Sequence, residues 1–215
     1  MSVPGMFAVP RNLLFSIGLP SAENTFYQLG ADELVQQCVE RNQGVDDTGA
    51  LVTNTGELAA GSPNDCFIVK DKITTSAIDW NEINQPIEEK YFDALFSKMI
   101  DHLRKKEIWI RDAYACAEKD YKIDIRIINE DPASNLFVYN MFSRPEKEEL
   151  KNFNPGWYII HTPSFFADPT FDGTREGNFT IINFSKRVIL IGGSSDASEI
   201  KKAIFSILNF LSPND

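Results

Sequence analysis

Apolar positions along this chain follow two periods, and the switches between them mark out an α/β protein. Near the C-terminal end, Ile200, Ile204, Ile207, Leu208 and Leu211 recur at the 3.6-residue spacing of a helix that buries one face. Before them stands Arg187–Ile191 (RVILI), the length of a buried strand, followed by Gly192-Gly193-Ser194-Ser195. Strand, Gly/Ser-rich turn and amphipathic helix, in that order, form the usual skeleton of a phosphate or carboxylate site. Asp196 is expected to cap the first N–H groups of the helix, with Glu199 reaching back as in a capping box. Lys201 and Lys202 then project from the second turn.

The same reading runs through the rest of the chain. Ala31–Arg41 predicts a short helix with Leu34, Val35, Cys38 and Val39 inward, and Ala50–Thr53 a short strand. Cys66–Val69 (CFIV) predicts a strand after the loop AAGSPND, and Asp79–Pro86 a second loop. Glu88–Leu103 predicts a helix burying Phe92, Leu95, Phe96, Met99 and Leu103, with His102 at the boundary. Glu107–Cys116 and Lys122–Ile128 alternate with period two, which puts Arg111 and Arg126 among the polar-face positions. Glu130–Phe142 predicts a helix with Pro132 tolerated in its first turn, and Glu146–Lys151 a short turn of helix. Gly156–His161 is strand-like, Thr162–Gly177 a long loop, and Asn178–Phe184 pairs with Arg187–Ile191 across Ser185-Lys186. Three prolines and two glycines make residues 1–20 an extended arm. Residues 21–215 are expected to form one α/β domain, a mixed β-sheet flanked by helices.

Composition narrows the partners. A net charge of −10 without a Lys/Arg block makes nucleic acid and anionic membrane poor partners. The longest apolar runs are strand-sized, and the start of the chain lacks the charged and apolar regions of a signal peptide. Cys38, Cys66 and Cys116 form no C-x-x-C pair and read as reduced thiols of a cytoplasmic protein.

Residue chemistry alone points to no reaction. There is no G-x-x-x-x-G-K-[ST] loop and no G-x-G-x-x-G. His102 and His161, the two histidines, lie far apart and make no zinc pattern or triad.

Four segments together resemble one family. AAGSPNDCFIVKD, KEIWIRDAYACA, NLFVYNMFSRP and IGGSSDASEIKKAIFSILNFLSP are similar, in order and separation, to the N-terminal domain of the ATP-dependent phosphoenolpyruvate carboxykinases. The resemblance implies a lobe that handles oxaloacetate, whose enolate is phosphorylated from ATP after decarboxylation. In that family a C-terminal lobe carries the P-loop and most nucleotide and metal ligands, so ATP and Mg2+ or Mn2+ belong to the full-length proteins, and no cofactor is expected for this chain by itself.

Carried over residue by residue, the resemblance implies an altered site. The family loop reads T-G-R-S-P-K-D; here Gly61 stands at the Arg position and Asn64 at the Lys position, beside matching Ser62 and Asp65. Glycine lacks the guanidinium fork that grips a carboxylate. In the family pattern G-T-x-Y-x-G-E-x-K-K, Asp196 stands at the Tyr and Ser198 at the second Gly, whereas Glu199, Lys201 and Lys202 match. Lys202 thereby resembles a Mn2+ ligand, a role that needs a neutral amine. The expectation is a free-standing, non-catalytic relative of the N-terminal lobe. It would bind a small carboxylate, or a partner protein or second copy through the face that a C-terminal lobe would cover. The alternative is the N-terminal part of an active carboxykinase, and a third reading is a new activity around Ser62, Asp65, Asp196, Lys201 and Lys202.

Overall fold

The strand-period segments join one sheet. A computed structural model of the protein describes residues 17–19, 25–48, 50–53 and 66–212. Most of the expected N-terminal arm therefore lies outside the described residues. Of its last residues, Ile17 and Leu19 are buried in the core beside Ile100 and Leu103.

The elements run β1 (Thr25–Tyr27), α1 (Ala31–Glu40), β2 (Val45–Asp47), β3 (Ala50–Val52), β4 (Cys66–Val69), β5 (Gln85–Ile87) and α2 (Glu89–Leu103). They continue with β6 (Ile108–Ala115), β7 (Ile123–Asn129), α3 (Pro132–Met141), α4 (Lys147–Leu150), β8 (Trp157–Thr162), β9 (Phe179–Asn183), β10 (Val188–Gly192) and α5 (Ser198–Leu211). Eight strands form a mixed sheet in the order β1-β6-β7-β8-β10-β9-β4-β5, and β2 and β3 pair separately. β7, β8 and β10 run parallel to one another, whereas β6 and β9 run against them. The edges are three-residue strands, and Pro86 sits in one of them, which limits pairing with other chains.

Both faces are covered, and the alternation of residues divides them. Phe92, Leu95, Met99 and Leu103 of α2 pack with Ile110, Ile128, Ile160 and Leu190 on one face. Ile200, Ala203, Ile204 and Ile207 of α5 pack with Ile127, Ile159, Ile189 and Ile191 on the other. Such two-sided burial explains why β9 and β10 read as apolar runs and why every residue in them is buried.

It also corrects the placing of Arg111 and Arg126 on a polar face. Both are buried, at 3% and 5% exposure. In the β6–β7 ladder, Asp112 stands opposite Arg126 and Arg111 opposite Ile127, so the two arginines lie on opposite faces. On the α2 face, Arg126 Nε and Nη2 donate to the two oxygens of Asp112 at 2.6 and 2.7 Å, and the Tyr27 hydroxyl donates to Asp112 Oδ2 at 2.7 Å.

Smaller differences have local causes. Val39 is exposed, because α1 turns only Leu34 and Cys38 fully inward. Gln85 and Pro86, expected at the end of the Asp79–Pro86 loop, join Ile87 in an edge strand paired with β4. The β9–β10 connection is two residues longer than expected: the last pair is Asn183 with Val188, and Arg187 adopts a positive φ of 54°.

Candidate functional site

The parallel strands β7, β8 and β10 end together, with Asn129 beside His161 and Gly192 beside Thr162. Open α/β sheets bind ligands outside such carboxyl ends. A cleft of about 840 Å3 lies there. Its lining includes Glu130, Asp131 and Ser134 after β7, Ser164 and Phe166 after β8, Ser195, Asp196 and Ser198 after β10, and Gln43 after α1.

Gly192 and Gly193 shape the turn for steric reasons. A Cβ on Gly192 would come within 2.6 Å of the Phe179 ring. Gly193 has φ of +69°, and a Cβ there would lie 2.9 Å from the Asn178 backbone. The turn that follows does not offer a free helix N-terminus to an anion. Asp196 Oδ1 accepts from Ser198 N at 2.9 Å, and the backbone oxygens of Asp196 and Ala197 accept from the N–H groups of Glu199 and Ile200. The expected capping box does not form, because Ala197 is the N-cap of α5 and the Asp196 side chain bonds the Ser198 N–H. Glu199 does not reach back; its Oε1 takes the Lys202 ammonium at 2.6 Å.

The remaining carboxylates of the cleft are likewise engaged. Asp131 caps α3, its two oxygens accepting from Ser134 N at 2.7 Å and the Ser134 hydroxyl at 2.8 Å. Glu130 accepts from His102 Nε2 at 2.9 Å, the Ser164 hydroxyl at 2.9 Å and the Ser164 N–H. His102 is thus a satisfied boundary histidine that ties α2 to the segment after β8. By contrast, the buried Oε1 of Gln43 has no hydrogen-bond partner among the described residues.

Of the residues singled out in the sequence, Gly61, Ser62, Asn64 and Asp65 lie outside the described residues. Cys66, which follows them, pairs with Thr180, and Thr180 pairs with Ile191, at the same end of the sheet as the cleft. Burial, and then the neighbouring Glu199, pushes the Cys66 thiol up to about 11, so it is not a thiolate at neutral pH. Asp196 lines the cleft. Lys201 lies over the Phe205 ring, 5.6 Å from its centre, one turn along α5.

Lys202 is 61% exposed and paired with Glu199, with Asp196 at 4.0 Å. Its hydrogen bond to Glu199 holds its pKa above the usual lysine value. A metal ligand needs a neutral amine, whereas Lys202 here is paired with Glu199. Among the described residues, no three His, Cys, Asp or Glu side chains come together as a metal site.

Sequence pattern reading missed a buried relay behind the cleft. Arg111 Nε donates to Asn135 Oδ1 at 3.0 Å, and Asn135 Nδ2 donates to Asn129 Oδ1 at 3.0 Å. Asn129 Nδ2 faces His161 Nδ1 at 3.4 Å, and His161 Nε2 lies 3.0 Å from the Ser194 carbonyl. A carbonyl only accepts, so Nε2 carries the proton and Nδ1 accepts from Asn129. Every bond points the same way, from Arg111 to the turn before α5. Burial pushes the His161 pKa below the usual histidine value, which keeps the ring neutral.

A mixed sheet with helices on both faces and a cleft at the ends of its parallel strands defines the class. The sequence profile of the phosphoenolpyruvate carboxykinase family matches residues 23–215, and the chain belongs to that family. It is 50% identical over 188 residues to phosphoenolpyruvate carboxykinase (ATP) of Christiangramia forsetii, covering 87% of this chain and 35% of that protein. The enzyme of the same name from Flavobacterium johnsoniae is 48% identical over the same shares. That from Amoebophilus asiaticus is 46% identical over 203 residues, 94% of this chain and 39% of that protein. The chain thus spans little more than a third of the length of these relatives. No helix among the described residues is long and apolar enough to cross a membrane.

Proposed function

We propose that this chain is a carboxykinase-type N-terminal domain whose anion-receiving position is filled from within, so that it serves as a binding module and does not process oxaloacetate. The observation that carries the reading is Asp196. It stands where the resemblance places a substrate-facing tyrosine, and its carboxylate accepts from the Ser198 N–H while backbone carbonyls take those of Glu199 and Ile200. A second anion there would meet a like charge. Lys202 supports the same reading, because Glu199 already neutralises it. What the cleft does offer is the Gln43 oxygen, unpartnered among the described residues, and the apolar sides of Leu136, Phe137 and Phe166, which suit a neutral, hydrogen-bond-donating ligand.

A second reading, the N-terminal part of a working carboxykinase, is favoured by the 50% identity to a protein of that name. One chimera separates the two. Residues 23–215 replace the matching region of the Flavobacterium johnsoniae enzyme, and oxaloacetate-dependent turnover is assayed. The expected result is a folded, nucleotide-binding chimera without turnover, in which Gly61→Arg with Asp196→Tyr restores activity. Turnover near the parent rate without those changes would overturn the proposal.

A further inference from the structure

A second cleft, of about 780 Å3, opens on the other side of α3, and its chemistry is the reverse of the first. Arg111 from β6 lines it, together with Gln28, Tyr139, Asn140, Ser143 and Arg144. Arg111 is 3% exposed, yet its partners are all neutral: Asn135 Oδ1, the Leu29 carbonyl at 2.5 Å, and Gln28 Oε1 at 3.4 Å. A guanidinium has five N–H donors. These three bonds leave two of them unused among the described residues. The Tyr139 ring lies beside Arg111 at 4.9 Å and beside the exposed Arg144 at 4.4 Å, so two cations share one aromatic side chain. Arg144 donates one bond to the Tyr139 carbonyl, and the rest of its fork takes no hydrogen-bond partner among the described residues.

A buried cation normally sits against a carboxylate or a bound anion, because desolvation of an unpaired charge is expensive. Burial pushes the Arg111 guanidinium down to about 10, and the charge of Arg144 adds to the effect, so it remains protonated at neutral pH. Glu146 also lines the cleft, and no ion pair joins it to Arg111 among the described residues. We propose that this cleft is a binding site for a phosphate-bearing small molecule, whose oxyanion bridges Arg111 and Arg144. Asn140 and Ser143, which also line the cleft, would supply an amide and a hydroxyl for the remaining oxygens. The cleft has room for a monoester rather than inorganic phosphate alone.

Calorimetric titration of the chain with inorganic phosphate and with glycerol 3-phosphate tests this at constant ionic strength. The expected result is one saturable site for each, with succinate binding more weakly and chloride not competing. Arg144→Gln, a surface change that leaves the sheet intact, is expected to weaken both by about tenfold or more, the loss of a charge-assisted pair. Amide NMR shifts at Ser143 and Arg144 should move with phosphate in the unaltered chain. No saturation by about 10 mM phosphate, equal affinity in Arg144→Gln, or succinate binding as well as phosphate would each overturn the proposal.

Discussion

Arg111 and Arg126 occupy neighbouring strands, are equally buried, and have opposite surroundings. Arg126 is closed on itself. Burial works against its charge, but two bonds to Asp112 outweigh burial and raise its pKa further. Tyr27 completes the group, its own pKa raised by burial first and by Asp112 second. Arg111 donates only to amides and carbonyls, with the Tyr139 ring beside it, and burial lowers its pKa. The first arrangement ties β1, β6 and β7 together and leaves nothing for a ligand. The second holds a cation at the wall of a cleft and starts the relay that ends at the turn before α5. A buried charge marks a structural joint where its partner is internal, and a candidate site where its partner is missing.

The sharpest way to break this comparison is to remove the internal partner. Asp112→Asn keeps the shape and removes the charge, leaving Arg126 uncompensated in the sheet. The expected loss is about 3–5 kcal/mol, read as a fall of roughly 10 °C or more in Tm for a chain of this size. Asp112→Leu with Arg126→Met should cost less than the single change, because no orphaned charge remains. A single-variant loss below about 1 kcal/mol would show that the pair is not a joint.

Arg111→Met should cost less, about 1–3 kcal/mol, the range for leaving Asn135, Leu29 and Gln28 with unpaired acceptors. Part of that loss is offset, since a cation without a counter-charge is no longer desolvated. Chemical denaturation of the two variants side by side checks the order. If Arg111→Met proved the more damaging, the difference between the arginines would lie in packing rather than charge.

The fold was largely legible in the sequence because both faces of the sheet bury apolar residues. RVILI, CFIV and the α2 and α5 stripes each point to one element. Val39 and the edge strand Gln85–Ile87 were not legible, since exposure at a helix end and a three-residue edge are set by tertiary neighbours. The site was legible in part. Asp196 could be placed beside the helix start from spacing, but not Glu199's choice of Lys202 over the backbone, which depends on side-chain reach in three dimensions. The two arginines were misplaced for a definite reason: period-two alternation assigns residues to faces but cannot tell a solvated face from a covered one. The relay joins residues from β6, α3, β7 and β8 to the turn after β10, contacts that no local pattern encodes.

The smallest effect tests the far end of that relay. His161 is fully buried and neutral, and burial outweighs the carboxylates of Asp131, Glu130 and Asp196 that favour its charged form. In the unfolded chain the same imidazole takes a proton near its ordinary value of about 6.5. Below that pH the unfolded state holds the extra proton and the folded state does not. Stability therefore rises with pH through this window and is lost as pH falls, by at most about 1.4 kcal/mol per pH unit from this one group. Protonation would also turn Nδ1 into a donor facing the Asn129 Nδ2 donor, which breaks that link while Nε2–H still donates to Ser194. Ring 15N shifts resolve His161 from His102: His161 should keep its Nε2–H tautomer well below pH 6.5, and stability between pH 7 and about 5.5 should fall less in His161→Gln than in the unaltered chain. A His161 ring that titrates at the ordinary value would mean the relay does not hold it neutral, and that Arg111 and the α5 turn are not linked through it.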